Sequence, residues 1–454
     1  MKIKLVTFFP HPNFGTCLQS YALNKVLRDW GHDVEFIYNR HETVDIDGDN
    51  YVKFQIKEVI KYIIPSAIVK FIKSIRKKKH TDLTESSTDF VPDENLYILK
   101  LPNLPILKFL CRFKSFRNKY LSNLYNTKQQ KKVYKYTFLD GNYKTKRLFT
   151  PKDYRDVTAD ADMFITGSDQ IWNPYCGGFN PMMFLEFAGD KKRIAYSSSI
   201  SRPDFPDEIK QRVKDDLSKF KHIAVREQHS VDLLGKLLDR KDIKLVVDPT
   251  MLLTKDQWMD FANKAEIEFT IPEKYIFCYF VGCREEYKDM VNDVKARTAI
   301  DKVITVDCYG YTLNYGDGYV YHDGGPYEWV YLLSHASVVC MDSFHATIFA
   351  LKFHKDFVHI LKTKPKENSN NSSQNGRMYD ILSRYGILYK LYNAENTDWM
   401  KPIDFAHVDE IMKSEIEDSL KYLKFEVENE SYDSLRLFNS WLRPFWCHIR
   451  IFRA

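Results

Sequence analysis

Residues 328–359 read EWVYLLSHASVVCMDSFHATIFALKFHKDFVH, and this stretch decides the fold. Trp329, Leu332, Leu333 and Ala336 recur at the spacing of one buried helical face. A short apolar run, 337–341, has the composition of a buried strand. The polar cluster Asp342, Ser343, Phe344, His345 then opens a second apolar helix over 346–351. Polar groups at a strand's carboxyl end, at the mouth of the next helix, are where open α/β sheets bind ligands. Free N–H groups and a positive dipole end at that mouth suit an anion. The bland alternative is that Asp342 or Ser343 only caps the helix.

The same grammar recurs on either side. At the N-terminus a strand over 2–9, a turn over 10–15, a helix over 16–30 and a strand over 33–38 make a βαβ unit. The turn is not G-x-G-x-x-G, so a dinucleotide site is not indicated. Strands at 163–166, 193–196, 223–225 and 244–247 end in polar turns, and a second set runs from 275 to 360. This predicts an α/β protein with an N-terminal domain at 1–255, a C-terminal domain at 256–400 and a helical tail at 401–454. Residues 41–150 show no clear alternation and read as a mainly helical insertion in the first domain.

The net charge of +6 is mild and calls for no nucleic acid. Eight cysteines without C-x-x-C or zinc spacing predict reduced thiols and no metal. The opening MKIKLVTFF is too short and too quickly polar for a signal peptide, and no stretch approaches the ~20 apolar residues of a spanning helix. A cytoplasmic protein is expected. The basic amphipathic segment 53–79 and the Trp-, Phe- and Arg-rich stretch 435–454 suit peripheral contact with the inner face of the plasma membrane, or packing on the protein itself.

Seven short motifs stand in order. They are Asn13-Phe-Gly15 with Leu18-Gln19, Thr166-Gly-Ser-Asp-Gln-Ile-Trp-Asn173, Ser197-Ser-Ser199, Val225-Arg-Glu227, Val247-Asp-Pro-Thr250, Asp342-Ser-Phe-His345 and Arg377 before an apolar helix. Their order and spacing resemble the polysaccharide pyruvyl transferase family over most of 1–40 and 160–390. The resemblance implies two Rossmann-like domains facing a cleft, as in GT-B glycosyltransferases. It also implies transfer of pyruvate from phosphoenolpyruvate onto sugar hydroxyls of a capsule, exopolysaccharide or lipid-linked repeat unit. The product would be a pyruvate ketal, made without cofactor or metal.

That chemistry needs a proton donor near neutrality and cations or helix N-termini for a carboxylate and a phosphate. His345 is the acid/base candidate. Arg226 and Arg377 are candidate donor ligands, against a surface ion pair of Arg226 with Glu227. Family members with a Met-Arg-Leu-His version of the late motif carry Arg two residues before His. Here Ser343 stands there, and it offers the donor a hydroxyl and a backbone N–H. Asp169 reads as a base, an acceptor-orienting group or a helix cap. Asn13 and Gln19 fit a polar acceptor rim, and Trp172 either stacks on a sugar or packs in the core. The alternatives from other classes are a nucleotide-sugar glycosyltransferase on the same fold and a catalytically idle glycan-binding relative.

Overall fold

The computed structural model describes residues 1–9, 13–38, 129, 132–133, 135–148, 150–176, 179–282, 286–306, 319–321, 324–362 and 375–429. The basic segment 53–79, most of the 41–150 insertion and the stretch 435–454 lie outside the described residues.

The first domain runs β1 (Lys2–Val6), α1 (Phe14–Asp29), β2 (Asp33–Tyr38), β3 (Thr145–Arg147), α2 (Pro151–Asp160) and β4 (Met163–Thr166). It continues with β5 (Lys192–Ser198), α3 (Asp207–Leu217), β6 (His222–Val225), α4 (Gln228–Leu238), β7 (Lys244–Leu245) and α5 (Pro249–Leu252). Helix α6 (Lys255–Ala262) leads to the second domain: β8 (Ile276–Tyr279), α7 (Glu286–Thr298), β9 (Val303–Val306), β10 (Tyr319–Tyr321) and α8 (Pro326–His335). Then come β11 (Val338–Met341), α9 (Phe344–Lys352), β12 (Asp356–His359), α10 (Gly376–Arg384) and α11 (Phe405–Glu428).

Both sheets are parallel throughout, in the orders β3-β2-β1-β4-β5-β6-β7 and β10-β9-β8-β11-β12. Parallel strands buried on both faces must be apolar on both, and alternate residues go to opposite layers. Ile3 and Leu5 of β1, Ile165 of β4 and Ala224 of β6 enter one core. Val6, Phe164, Ile223 and Val225 enter the other, under α2, α3 and α4. In the second sheet Phe277, Tyr279, Val339 and Met341 point into the same core as Ile3 and Leu5, whereas Ile276, Cys278 and Cys340 line the outer one. The two domains thus face each other across one apolar layer, filled by α1, α5, α8 and α9.

The expected pair of Rossmann-like domains is therefore present. The 41–150 segment departs from its mainly helical reading at its end, where β3 adds an edge strand beside β2. Its sequence, Thr-Lys-Arg, is half-buried and carries no apolar signal, as an edge strand need not. Helix α11 returns to the first domain, where the Ser419 hydroxyl accepts the Val247 N–H at 3.0 Å. No helix among the described residues is long and apolar enough to cross a membrane.

The strand order reverses direction between β1 and β4, and again between β8 and β11. Connections diverge at such points and leave a crevice at the carboxyl ends of the strands. The turns after β1, β4, β6, β7 and β11 carry the polar motifs, and they converge there.

Candidate active site

Of the cluster that opens α9, two members hold the frame. The Asp342 carboxylate accepts the Val281 N–H at 2.7 Å, the Gly282 N–H at 2.8 Å and the Tyr287 hydroxyl at 2.7 Å, which staples the ends of β8 and β11 together. Ser343 is the N-cap of α9, its hydroxyl accepting from Ala346 N at 3.4 Å. The capping alternative is thus realised by Ser343. His345 faces the first domain. A Cβ built on Gly15, in the first turn of α1, would fall 2.3 Å from its Nδ1, so only glycine permits this approach.

Arg226, at the end of β6, is 3% exposed and engages three carboxylates. Its Nε donates to Glu227 at 3.1 Å, Nη1 to Asp248 at 2.7 Å and Nη2 to Asp169 at 3.3 Å. The expected pair with Glu227 exists, yet it is buried inside a network rather than on the surface. Three of the five guanidinium N–H donors are used, and two remain. Burial opposes the Arg226 charge, and Glu227, Asp248 and Asp169 outweigh it, raising its pKa.

Asp169 takes the Thr16 hydroxyl at 2.6 Å and the Gln170 N–H at 2.9 Å, with its backbone in the left-handed region at φ +66°. Burial works against its ionisation, but Arg226, His345, Thr16 and Arg377 hold its carboxyl well below the usual range. Asp248 sits 1% exposed after β7. Its Oδ1 accepts the Thr250 N–H at 3.0 Å and the Thr250 hydroxyl at 2.7 Å. Its Oδ2 accepts from Arg226 and from the Ser168 hydroxyl at 3.1 Å, and lies 3.5 Å from His345 Nε2. Burial again opposes ionisation, and His345, Arg226 and the Thr250 N–H hold this carboxyl well below the usual range.

Arg377 enters from the first turn of α10. It is 6% exposed, and its buried Nε has no hydrogen-bond partner. Among the described residues it forms no ion pair. Its guanidinium lies 5.7 Å from the centre of the Phe344 ring, over which Arg226 also lies at 4.5 Å. Burial and the Arg226 charge lower its pKa, offset in part by Asp169 and Glu227. A buried cation with no ion pair among the described residues is costly, and an anionic ligand would offset that cost.

The remaining candidates are placed differently. Asn13 caps α1, accepting from Thr16 N at 3.4 Å. Gln19 is fully buried and braces the turns behind the site: it donates to Thr7 Oγ1 at 3.0 Å and accepts the Ser168 N–H at 3.2 Å. Trp172 is 1% exposed, stacked on Phe184 and bonded to the Met183 carbonyl at 3.1 Å, which leaves no face for a sugar. Three residues on, Tyr175 is 59% exposed, with the Arg202 guanidinium 4.6 Å from its ring centre. Among the other histidines, His359 is buried against Thr347, and burial lowers its pKa to about 3. His354 pairs with Asp409 on the surface.

Sequence reasoning assigned no role to Asp248, Glu227 or Thr16. Asp248 had a signal, an acid at a strand's carboxyl end in Val247-Asp-Pro-Thr250, but an acid before proline reads first as a cap.

The profile of the family described as polysaccharide pyruvyl transferase matches residues 13–361, which hold every site residue named above except Arg377. The chain belongs to the polysaccharide pyruvyl transferase family. No curated protein matches the sequence. Similar solved structures include the UDP-GlcNAc 2-epimerase of Methanocaldococcus jannaschii, 11% identical over 94% of this chain and 100% of that one, with a TM-score of 0.43. The Neisseria meningitidis UDP-GlcNAc 2-epimerase is 9% identical over 94% and 99%, at 0.42. The glycosyltransferase SnogD from Streptomyces nogalater is 10% identical over 94% and 99%, at 0.39. Pyruvyl transferase family membership, and not these distant neighbours, bears on the reaction.

Proposed function

We propose that this pyruvyl transferase takes pyruvate from phosphoenolpyruvate and sets it as a ketal on two hydroxyls of a surface polysaccharide or its lipid-linked repeat unit. The observation that carries the donor is Arg377, a buried guanidinium with no ion pair among the described residues, beside Arg226 and the mouth of α9. A carboxylate or phosphate would fill that place with charge-assisted bonds. The N–H groups at the mouths of α1 and α9, with the two spare Arg226 donors, would share the donor's second anionic group.

In the reaction, His345 gives a proton to the methylene carbon of the donor, using the electron pair of its double bond. A sugar hydroxyl adds at the adjacent carbon, a second hydroxyl displaces phosphate there, and phosphate leaves with one hydroxyl proton. One proton from the hydroxyls returns to His345, and Asp169, ionised in the site, relays it or orients the acceptor. Tyr175, in the same turn as Asp169, offers the exposed ring on which a sugar stacks. An acceptor on a lipid carrier would bring the protein to the inner face of the plasma membrane as a peripheral partner.

Incubation with phosphoenolpyruvate and the host's extracted lipid-linked repeat unit should release phosphate, and add a pyruvate ketal's mass to the glycan. His345→Ala should abolish both. A wild-type protein that releases no phosphate with any glycan of the host's pathway would end this reading.

A further inference from the structure

We propose that Asp248 is the positioning residue for His345: it holds the imidazole from across the domain boundary and keeps it aimed at the donor. For the reaction served, this rests on the phosphoenolpyruvate reading above.

Helix capping accounts for only half of Asp248. Both bonds from Thr250, the N–H and the hydroxyl, go to Oδ1, so the cap of α5 is complete without Oδ2. Oδ2 is turned the other way. The Ser168 hydroxyl and Arg226 Nη1 fix it, and it faces His345 Nε2 at 3.5 Å. That nitrogen is buried and has no formed hydrogen bond among the described residues. The gap is a few tenths of an ångström longer than a formed N–H···O bond, as active-site bonds often are before substrate tightens them. The opposite edge of the ring rests on Gly15, where no Cβ fits. A ring gripped on one edge by a bare backbone and on the other by an immobile carboxylate has one orientation left.

The geometry has a consequence for assembly. Asp248 and Gly15 belong to the first domain and His345 to the second. The acid is therefore aimed only when the two domains are docked, and it has no fixed aim on the second domain alone.

Oδ2 also serves Arg226, and the two roles separate kinetically. Asp248→Asn keeps the size and the Thr250 bonds to Oδ1 but removes the charge facing Nε2. If Asp248 acts through His345, kcat falls by about 100-fold, with the phosphoenolpyruvate KM changed less than about threefold. In a His345→Ala background the same change then costs nothing further. Asp248→Glu should restore part of kcat. A loss seen only in KM, or an equal loss in the His345→Ala background, would overturn the proposal.

Imidazole nitrogen-15 shifts of the full-length protein at mildly alkaline pH give a readout that needs no substrate. The His345 proton should sit on Nε2 in the wild type and lose that preference in Asp248→Asn. An unchanged tautomer overturns the proposal even where turnover falls. Should Asp248→Asn not fold, Ser168→Ala removes the hydroxyl that steadies Oδ2, which also lies 3.0 Å from the Ser197 carbonyl. It should lower kcat several-fold and do nothing in the His345→Ala background, and an unchanged kcat counts against the inference. A wild type without turnover would end the phosphoenolpyruvate reading alone, because the tautomer measurement stands without it.

Discussion

Replacing Arg377 by methionine should make the protein more stable and a worse enzyme. Methionine fills nearly the same length without charge. In the structure Arg377 is 6% exposed, lacks a partner at Nε and lies near the Arg226 cation. Its removal forfeits a cation–π contact with Phe344 worth about 0.5–2 kcal/mol. It also relieves an unpaired buried charge, whose desolvation amounts to several kcal/mol. The balance favours the variant by about 1 kcal/mol or more in the absence of donor. With donor bound the sign reverses, since a charge-assisted bond of about 1.5–3 kcal/mol is lost. That weakens phosphoenolpyruvate binding by roughly 10- to 150-fold at 1.4 kcal/mol per decade. Thermal melts with and without phosphoenolpyruvate, alongside its KM, check both halves. Wild type should gain more from the ligand than the variant does, although it starts lower. A variant that melts earlier without ligand and keeps its phosphoenolpyruvate KM would refute the reasoning, because Arg377 would then be a structural ion and not a waiting one.

Gly15→Ala puts a methyl 2.3 Å from His345 Nδ1 and 2.7 Å from its Cβ; it should displace the ring, cutting kcat by about 100-fold, and lower the melt, since overpacking a buried contact costs about 1–3 kcal/mol. Tyr175→Ala, at an exposed ring, should raise the acceptor KM by about tenfold and leave the phosphoenolpyruvate KM alone; a change in the latter would remove Tyr175 from the acceptor side. Asp169 and Asp248 have folded pKa values below their unfolded ones, so the unfolded state binds more protons in acid. Their stabilisation is complete above the unfolded pKa near 4 and is lost as pH falls below it. Asp248→Asn should therefore flatten the acid limb of stability, measured by denaturant midpoints from neutral to acid pH.

The fold was legible where burial is two-sided. β4, β8 and β11 are short apolar runs closed by polar turns, and parallel sheets demand that pattern. β3 was not legible, because a half-buried edge strand can be Thr-Lys-Arg. At the site, His345 and Arg226 could be read from their places at strand ends. Whether a charge is paired is a property of three dimensions, so nothing in the sequence distinguishes Arg226, with three carboxylates, from Arg377, with none among the described residues. Trp172 and Tyr175 stand three residues apart in one turn, and sequence alone favours the larger ring for a sugar. Tertiary packing decided otherwise by stacking Trp172 on Phe184. Asp248 was hidden because one carboxylate does two jobs, and the local one is the more familiar.

The bond from Val247 N to Ser419 joins the residue beside Asp248 to a helix that follows both sheets in the chain. Domains made on the ribosome generally fold as they emerge, the N-terminal one first. Here the first sheet can form early, but the turn that holds Asp248 waits for its brace until α11 has been synthesised. A nascent chain halted between β12 and α11 would carry both sheets, His345 and Arg226, yet leave the Val247 amide unsealed. The order of translation thus places completion of the turn around Asp248 among the last events of folding, after Phe405–Glu428 has docked.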